Sequence, residues 1–458
     1  AILRLNKPIH IITLTEYFSF ITLTIFSVWF YEERLHADSG WYAFNLINSG
    51  SFHIEHGRFI LFFSQILPWI AIQFGLSLKS TLLAYSLNHI FFPSTIYLIC
   101  KHIFKHRTTG LLIIALQLIS ISKGFFCPMF EFYYVAYLLV LFAVILQSDF
   151  RYKYFLLPPL LLIICTGHPL AFLLALLVIA YRFIDQGKEV YKSSFAFILL
   201  IIIFYFIKSE YTSEYDLAKQ NAFYNTLATA RYDTAYLLKL GNMLLTYYWG
   251  IVIVFVLTGS LLLAQKRAYH LLIFIGSFCL FLVIANISYY GFYITRYQEQ
   301  VYFPLSFAVA FPLFFYVLPK ATALKKNILF TVFILLLIAR FVNLKNESTF
   351  FVQRTSEIEQ QITTARNLNI QKALVYQESL SYPTNWSYPI ESMLISSIAG
   401  NKNTVNLATD EDYYYQDNNE NLDSTKYILR KWEIMPITQL NSSYFQLDTS
   451  QYQELISQ

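Results

Sequence analysis

Charge is the scarcest property of this sequence. Only 13% of its 458 residues are Asp, Glu, Lys or Arg, whereas roughly a quarter is usual in a soluble globular domain. Hydrophobic residues make up 56%, and the mean hydropathy is +0.47. This scarcity excludes an ordinary soluble protein, and we predict a polytopic α-helical membrane protein.

Cysteine is also scarce, and the short motifs of several enzyme classes are absent. We interpret Cys100, Cys127, Cys165 and Cys279 as thiols that face lipid or are packed inside the protein, because they have neither metal-ligand nor disulfide spacing. There is no Gly-rich phosphate loop, Walker motif, nucleophile elbow or HExxH motif, so nothing indicates use of a soluble nucleotide. The basic residues are dispersed among loops, which argues against nucleic acid as a partner.

Long apolar runs are what the sequence has in abundance. A membrane helix needs about 20 apolar residues, and the runs predict about eleven transmembrane helices. These lie near 9–31, 80–100, 108–122, 132–147, 154–166, 168–182, 193–208, 243–264, 270–289, 300–318 and 327–342. The first run is too long for a signal peptide and no small-residue cleavage site follows it, so we expect it to remain as the first membrane helix.

The neighbouring apolar runs near 154–166 and 168–182 could instead be one long helix. Their division at TGHPLA, 166–171, decides the topology. Undivided, the stretch would be about 45 Å long, against a hydrocarbon core of about 30 Å, and its Gly and Pro break helices. With the division, the basic loops all fall on one side, as the positive-inside rule requires. We therefore predict a cytoplasmic N-terminus. The abundant Ile, Lys, Asn and Tyr fit an AT-rich bacterial genome, so we expect the bacterial inner membrane and a periplasmic C-terminal domain.

Three sizeable pieces then lie on the outer side of the membrane. Within the membrane domain, 1–342, the outer loop 32–79 includes an apolar segment at 59–74 that we predict to be an interfacial helix, and 209–242 is a second outer loop. In 343–458 Asn, Gln, Ser, Thr and acidic residues dominate, which predicts a small extracytoplasmic α/β domain. Its predicted elements are a strand at 372–378, a helix at 389–400 and a strand at 403–409.

Acidic residues near the predicted outer helix ends are the candidates for chemistry, because carboxylates at the mouth of a span are costly unless they are used. Asp38 lies in HADSGWY after the first span, Glu55 in HIEHGRF, and Glu131 in CPMFEFYY before the fourth span. Each could act as a general base or bind a divalent cation. Alternatively, each marks only a helix end, as Asp38 would in an N-cap.

Basic and imidazole groups on the same side complement these acids. Arg58 and Arg296 could each hold a phosphate through paired N–H groups, although Arg296 could instead be an interfacial arginine that reaches towards water. His168, in the TGHP turn, could bond a phosphate or hydroxyl, although a lone histidine is more often structural. Glu55 and His56 complete the predicted substrate-binding set. The spacing in HIEHGRF is not that of a zinc site, so we predict no metal ligands there.

Four features, taken in order, resemble the GT-C-fold membrane glycosyltransferases, in the branch of the protein O-mannosyltransferases and lipid A aminoarabinose transferases. They are HADSGWYAFNLINSGSF after the first span, Glu131 at the outer turn before the fourth, TGHPLAFLLAL between two short helices, and ITRYQEQVYFPL at a late span. The resemblance covers roughly residues 9–342 and implies a GT-C-like membrane domain.

The resemblance implies transfer of a sugar from a polyprenyl-phosphate donor to a lipid, glycan or protein acceptor at the outer face. It implies that Asp38 is the catalytic base, that Glu131 is a second acid near the acceptor or a divalent cation, and that Arg296 and Arg58 hold the lipid phosphate. Two departures are visible. The lysine of the family's Thr-Lys-Gly-Pro turn is absent, and the first loop has one Asp at the motif instead of an adjacent acidic pair.

Two other classes of protein fit the same pattern. A transporter or flippase for a lipid-linked or small polar substrate would use the acids as ion or proton sites. Such proteins often contain inverted repeats, and this sequence shows none. A non-catalytic subunit of a cell-envelope complex would recruit protein partners through 343–458.

Overall fold

The chain is largely helical, with a small mixed domain at one end of a helical bundle. In this computed structural model the described residues are 7–106, 108–230, 234–288, 295–376, 378, 380–381, 385–409, 423–430 and 433–455. The α-helices are, in chain order, α1 (Lys7–Trp29), α2 (Asp38–Ser49), α3 (Ile66–Gln73), α4 (Leu78–Leu98), α5 (Thr109–Leu118), α6 (Glu131–Gln147), α7 (Lys153–Gly167), α8 (Ala171–Gln186), α9 (Tyr191–Glu210), α10 (Glu214–Ala230), α11 (Thr234–Thr246), α12 (Trp249–Ala264), α13 (Ala268–Ser288), α14 (Thr295–Pro312), α15 (Ala323–Asn367) and α16 (Tyr388–Ser397). The strands are β1 (Lys372–Val375), β2 (Asn406–Thr409), β3 (Tyr427–Arg430), β4 (Glu433–Pro436) and β5 (Gln453–Glu454).

Several helical stretches are long and apolar enough to cross a bilayer. Within the described residues there are five, or six if the bent pair α11–α12 is one span. The five are Ile12–Trp29, Leu78–Ile103, Ala171–Glu210, Ala268–Ser288 and Ala323–Asn367. The remaining predicted spans fall on shorter apolar helices, including α5, α6 and α7. The structure therefore shows a helical bundle typical of membrane proteins, and the number eleven stays a prediction.

Burial separates central helices from peripheral ones. Every residue of α5 is buried, and nearly all of α6 is, so these two apolar helices lie at the centre of the bundle. In contrast, α9 and α13 expose large apolar side chains such as Phe206 and Leu272. A helix that is apolar all round is stable only inside a core or against lipid, so these exposed faces are typical of a surface that contacts a bilayer.

Charged residues mark one end of the bundle, which we call the basic end. There Arg267 pairs with Asp185 and donates to the carbonyl of Tyr316 at 2.8 Å, and Lys320 reaches Asp185 at 2.7 Å. At the opposite end, which we call the site end, α1 finishes and α2 begins. The side of the membrane on which each predicted loop lies stays a prediction.

Both predicted outer loops contain regular helices. Residues 32–79 include α2, which we did not predict, and the apolar segment 59–74 forms a 3-10 helix, Phe59–Ser64, followed by α3. Residues 209–242 form α10 and much of α11. The interfacial segment is therefore two short helices with a break before the Pro-containing α3, because the chain turns at Gln65.

The C-terminal domain has the predicted order of strand, helix and strand. β1 pairs in parallel with β2 and with β5, giving the order β2-β1-β5, and α16 connects β1 to β2. β3 and β4 form a separate antiparallel pair. The predicted domain boundary at 342 falls inside α15, which runs without interruption from the bundle into this domain.

The C-terminal domain packs on α2 through an apolar cluster. Phe44 and Ile47 of α2 share this buried cluster with Met393 and Leu394 of α16 and with Phe445. Since apolar burial stabilises by roughly 25 cal/mol per Å², this contact holds α2 between the bundle and the domain. The first acidic motif thus lies where the two parts meet.

Candidate functional site

The candidate site begins at a strained turn between α1 and α2. Ala37 has φ 55° and ψ −126°, a conformation that costs a residue with a side chain roughly 1–3 kcal/mol. Asp38 is the first residue of α2 and is partly exposed, so it is not the N-cap. A carboxylate there is stabilised by the positive end of the helix dipole. At Gly40 a Cβ atom would lie 2.3 Å from the Leu35 carbonyl oxygen, so the turn requires glycine.

Glu55 is held firmly by the first turn of α2 and by its own loop. Its two carboxylate oxygens accept from Trp41 Nε1 at 2.7 Å and from the Tyr42 hydroxyl at 2.8 Å. His53 Nε2 lies 3.0 Å from the same carboxylate. Burial alone would raise its pKa, but these hydrogen bonds outweigh burial and hold the pKa of Glu55 at about 2. Glu55 is therefore an ionised anchor for α2, poorly suited to accept a proton.

Arg58 bridges two carboxylates at the centre of the site. Its Nη1 lies 2.6 Å from Glu131 Oε1, at the start of α6, and its Nη2 lies 2.5 Å from Asp216 Oδ1, in α10. All three side chains are largely buried. Burial alone would lower the pKa of Arg58, but the two negative charges raise it. The guanidinium is thus fixed in a pair of ion pairs.

Tyrosines connect Asp38 to this ion-pair network. Tyr215, in α10, lies within electrostatic range of Arg58, Asp38 and Glu131, and its ring stacks on His56 with centroids 4.5 Å apart. Tyr42 lies within range of Glu131 and Asp38 as well. The structure therefore brings the predicted residues of HADSGWY, HIEHGRF and CPMFEFYY into one cluster.

The TGHP turn lies beside the same cluster. The ring of His168 packs edge-on against Phe132 at 4.5 Å, and its Nδ1 accepts from the Leu170 amide at 3.1 Å. Lys208, at the end of α9, donates to the carbonyl of Thr166 at 3.4 Å. Lys208 also lies within electrostatic range of Arg58. The ammonium group of Lys208, on α9, thus contacts the TGHP turn, which has no lysine of its own.

Two predictions are not settled by this geometry. Arg296 belongs to the first turn of α14, but its side chain lies outside the described residues, so its phosphate contact stays a prediction. In the described part of the chain, no group of three or more His, Cys, Asp or Glu side chains is arranged to hold a metal ion. The divalent cation that the resemblance leaves open therefore has no geometric support.

The C-terminal domain reaches into the strained turn. Glu391 of α16 accepts a hydrogen bond from the Ala37 amide at 3.0 Å and forms an ion pair with Arg354 of α15. His36 Nδ1 lies 3.6 Å from the same carboxylate. Glu391 is almost completely buried, so it connects the turn before Asp38 to both α15 and α16.

Sequence reasoning missed Lys208, Asp216 and Glu391. A basic residue at the end of an apolar run, as at Lys208, could have suggested the first. Asp216 lies among other polar residues and carries no local signal, whereas Glu391 is the single charged residue of the predicted helix 389–400, which was the signal that could have found it. Comparisons with protein-family models, curated proteins and solved structures gave no match to this chain, so the interpretation of the site depends on its own residues.

Proposed function

We propose that this protein transfers a sugar from a polyprenyl-phosphate donor to an acceptor at the site end, with Asp38 as the general base. The observation that carries the proposal is the convergence of Asp38, Arg58, Glu131, Asp216 and Lys208 from separate chain segments. They meet at helix ends beside an exposed apolar helix, where a lipid-borne donor could approach.

Asp38 has the environment that a general base requires. It is partly exposed at the first turn of α2, so an acceptor hydroxyl can approach its carboxylate. In the proposed step an acceptor hydroxyl attacks the anomeric carbon, the bond from that carbon to the phosphate oxygen breaks, and the lipid phosphate leaves with the electron pair. The hydroxyl proton passes to Asp38. The strained Ala37 before it also supports a functional role, because such conformations concentrate at active sites.

The arrangement favours Lys208 as the contact for the lipid phosphate. Arg58 is neutralised by two carboxylates, so a phosphate would have to displace one of them. Lys208 bonds a carbonyl oxygen, which an incoming phosphate can replace at little cost. We therefore assign Arg58 to positioning Glu131 and Asp216, and Lys208 to the phosphate.

An apolar surface leads from the membrane to Lys208. Along α9 the side chains of Ile203, Phe206 and Ile207 are exposed and apolar, and the helix ends near the site. A polyprenyl chain could lie along this surface and place its phosphate beside the ammonium group. In this proposal eleven helical segments cross or enter a bacterial inner membrane, with the basic end in the cytoplasm and the site end in the periplasm.

The test is turnover by the purified full chain in lipid nanodiscs. Radiolabelled polyprenyl-phosphate sugars and candidate acceptors should yield free polyprenyl phosphate, and Asp38→Asn should abolish the release. Lys208→Met should raise the KM for the donor more than it lowers kcat. Asp149→Asn is the matched control, because Asp149 is exposed between α6 and α7 at the basic end, and it should keep full activity.

Two outcomes would contradict the proposal. Turnover that survives Asp38→Asn would show that Asp38 is not the general base. An absence of turnover with any donor, in a preparation that moves labelled lipid-linked substrate across the bilayer, would favour the transporter.

A further inference from the structure

A small cavity lies inside the bundle, apart from the candidate site. Its volume is about 30 Å³, and side chains from α1, α4, α5 and α6 and from the turns between them line it. Its polar lining residues are Arg34, Gln117, His89, Tyr133, Tyr134 and Tyr137. None of the residues assigned to the candidate site contributes to this lining.

Arg34 brings a charge into the cavity without a counter-charge. Its side chain is 1% exposed, and among the described residues no carboxylate forms an ion pair with it. Nη2 donates to the Ser86 carbonyl at 3.4 Å, and the guanidinium carbon lies 4.0 Å from the centre of the Phe125 ring. Burial lowers the pKa of Arg34 to about 9, so it stays charged at neutral pH. A buried charge in this state is costly.

Several polar groups that line the cavity and can donate a hydrogen bond have no partner in the described part of the chain. Within the described part of the chain, Nε and Nη1 of Arg34, Nε2 of Gln117 and the hydroxyl of Tyr133 have no hydrogen-bond partner. His89 Nδ1 lies 2.6 Å from the Tyr134 hydroxyl. When the Tyr134 hydroxyl donates to Nδ1, the hydrogen of the neutral His89 ring is on Nε2. Nε2 is then a further donor without a partner. An anion would satisfy these donors and balance the charge together.

A carboxylate close to the cavity, that of Glu299, already has hydrogen-bond partners. Glu299 lies close to the Tyr133 hydroxyl around Gly124, but its oxygens accept from the amides of Ser122, Lys123 and Gly124 at 3.1, 2.9 and 2.5 Å. The Glu299 carboxylate therefore stabilises the turn between α5 and α6, and it forms no ion pair with Arg34.

We propose that this cavity binds one halide-sized anion, chloride under ordinary conditions, with Arg34 as its charged ligand and Gln117 and Tyr133 as further donors. On this volume scale a single water needs roughly 10–15 Å³. The cavity thus accommodates a monatomic anion and excludes a sugar phosphate. The bound ion ties the chain after α1 to α4, α5 and α6, and this role does not depend on the proposed transferase activity.

The test measures thermal unfolding of the full chain in detergent while bromide replaces gluconate at constant ionic strength. Gluconate is too large for the cavity, so the wild-type Tm should rise with bromide and keep rising with the logarithm of its concentration above the dissociation constant. At ten times the dissociation constant, the ratio of folded to unfolded protein should rise about elevenfold. Crystals grown in bromide should show an anomalous peak within hydrogen-bond distance of Arg34.

Two variants distinguish an ion from water. Arg34→Met removes the uncompensated charge, so it should unfold at a higher temperature than wild type in gluconate and lose the rise of Tm with bromide. Gln117→Leu should keep the fold and weaken the response severalfold. Arg151→Met, at an exposed arginine, is the matched control and should behave as wild type. A bromide response that is the same in wild type and Arg34→Met, or ordered water without bromide at Arg34, would overturn the proposal.

Discussion

Replacement of Glu391 by Gln should loosen the turn that carries Asp38. Gln keeps the shape of the side chain and can still accept from the Ala37 amide, but it removes the charge that pairs with Arg354. Arg354 is 3% exposed in its side chain, so the substitution leaves a buried guanidinium without that counter-charge.

The size of the effect follows from the burial of this pair. Breaking a buried ion pair by removing one partner costs about 3–5 kcal/mol. The pKa gives a similar figure. Burial would raise the pKa of Glu391, but Arg354 and then His36 outweigh burial and hold it at about 2, which corresponds to about 3 kcal/mol at 1.36 kcal/mol per pKa unit. A loss of this size should speed local opening by about a hundredfold or more.

Amide hydrogen exchange read by mass spectrometry measures that opening directly. Peptides that cover 37–41 and 388–397 should exchange about a hundredfold faster in Glu391→Gln than in wild type, while α5 and α6 should not change. Glu359→Gln is the control, because Glu359 is an exposed carboxylate on the same helix as Arg354. The double variant Glu391→Gln/Arg354→Met should recover most of the loss, since it also removes the buried positive charge.

Equal exchange in wild type and Glu391→Gln would refute the reasoning. The pH dependence provides an independent check. Because the folded-state pKa of Glu391 is depressed, its stabilisation is present above the unfolded pKa, about 4.5, and is lost as the pH falls towards 2. Wild-type exchange at 37–41 should therefore accelerate in that window more steeply than exchange in the Gln variant.

Two further substitutions test the packing of the site. Arg58→Gln leaves Glu131 and Asp216 buried without their shared cation, so thermal unfolding should show a loss of about 3–5 kcal/mol, and an unchanged Tm would contradict the ion-pair network. Gly40→Ala places a methyl group 2.3 Å from a backbone oxygen and should reduce the yield of folded protein. Gly259→Ala, whose added Cβ meets only ordinary contact at 3.5 Å, should be neutral or slightly stabilising. Equal folded yields from both glycine variants would show that the turn tolerates a side chain.

Much of the helical bundle could be predicted because hydropathy acts locally along the chain. The runs near 9–31 and 270–289, for example, correspond to α1 and α13 within a few residues. The prediction was weaker where helices are short or amphipathic. α2 follows a single strained residue and α10 is polar, so neither has the apolar run by which the other helices were found.

The location of the site could be predicted from the sequence, but the ion-pair partners of its residues could not. Charge and helix breaks placed Asp38, Arg58 and Glu131 at one end, and the structure brings them together. The contact of Arg58 with Asp216 joins residues 158 positions apart, and no local pattern encodes such a contact. A guanidinium predicted for a phosphate thus has carboxylates as its partners in the structure.

The turn at Ala37 explains why the C-terminal domain packs where it does. A residue with a side chain holds such a conformation only when surrounding contacts over-determine it, and the Glu391 bond to the Ala37 amide comes from 354 residues away. Since α15 continues from the bundle into the domain, the domain approaches this turn on a rigid helix. Any partner that 343–458 recruits must therefore use other surfaces than α16, because α16 is buried in holding Asp38 in place.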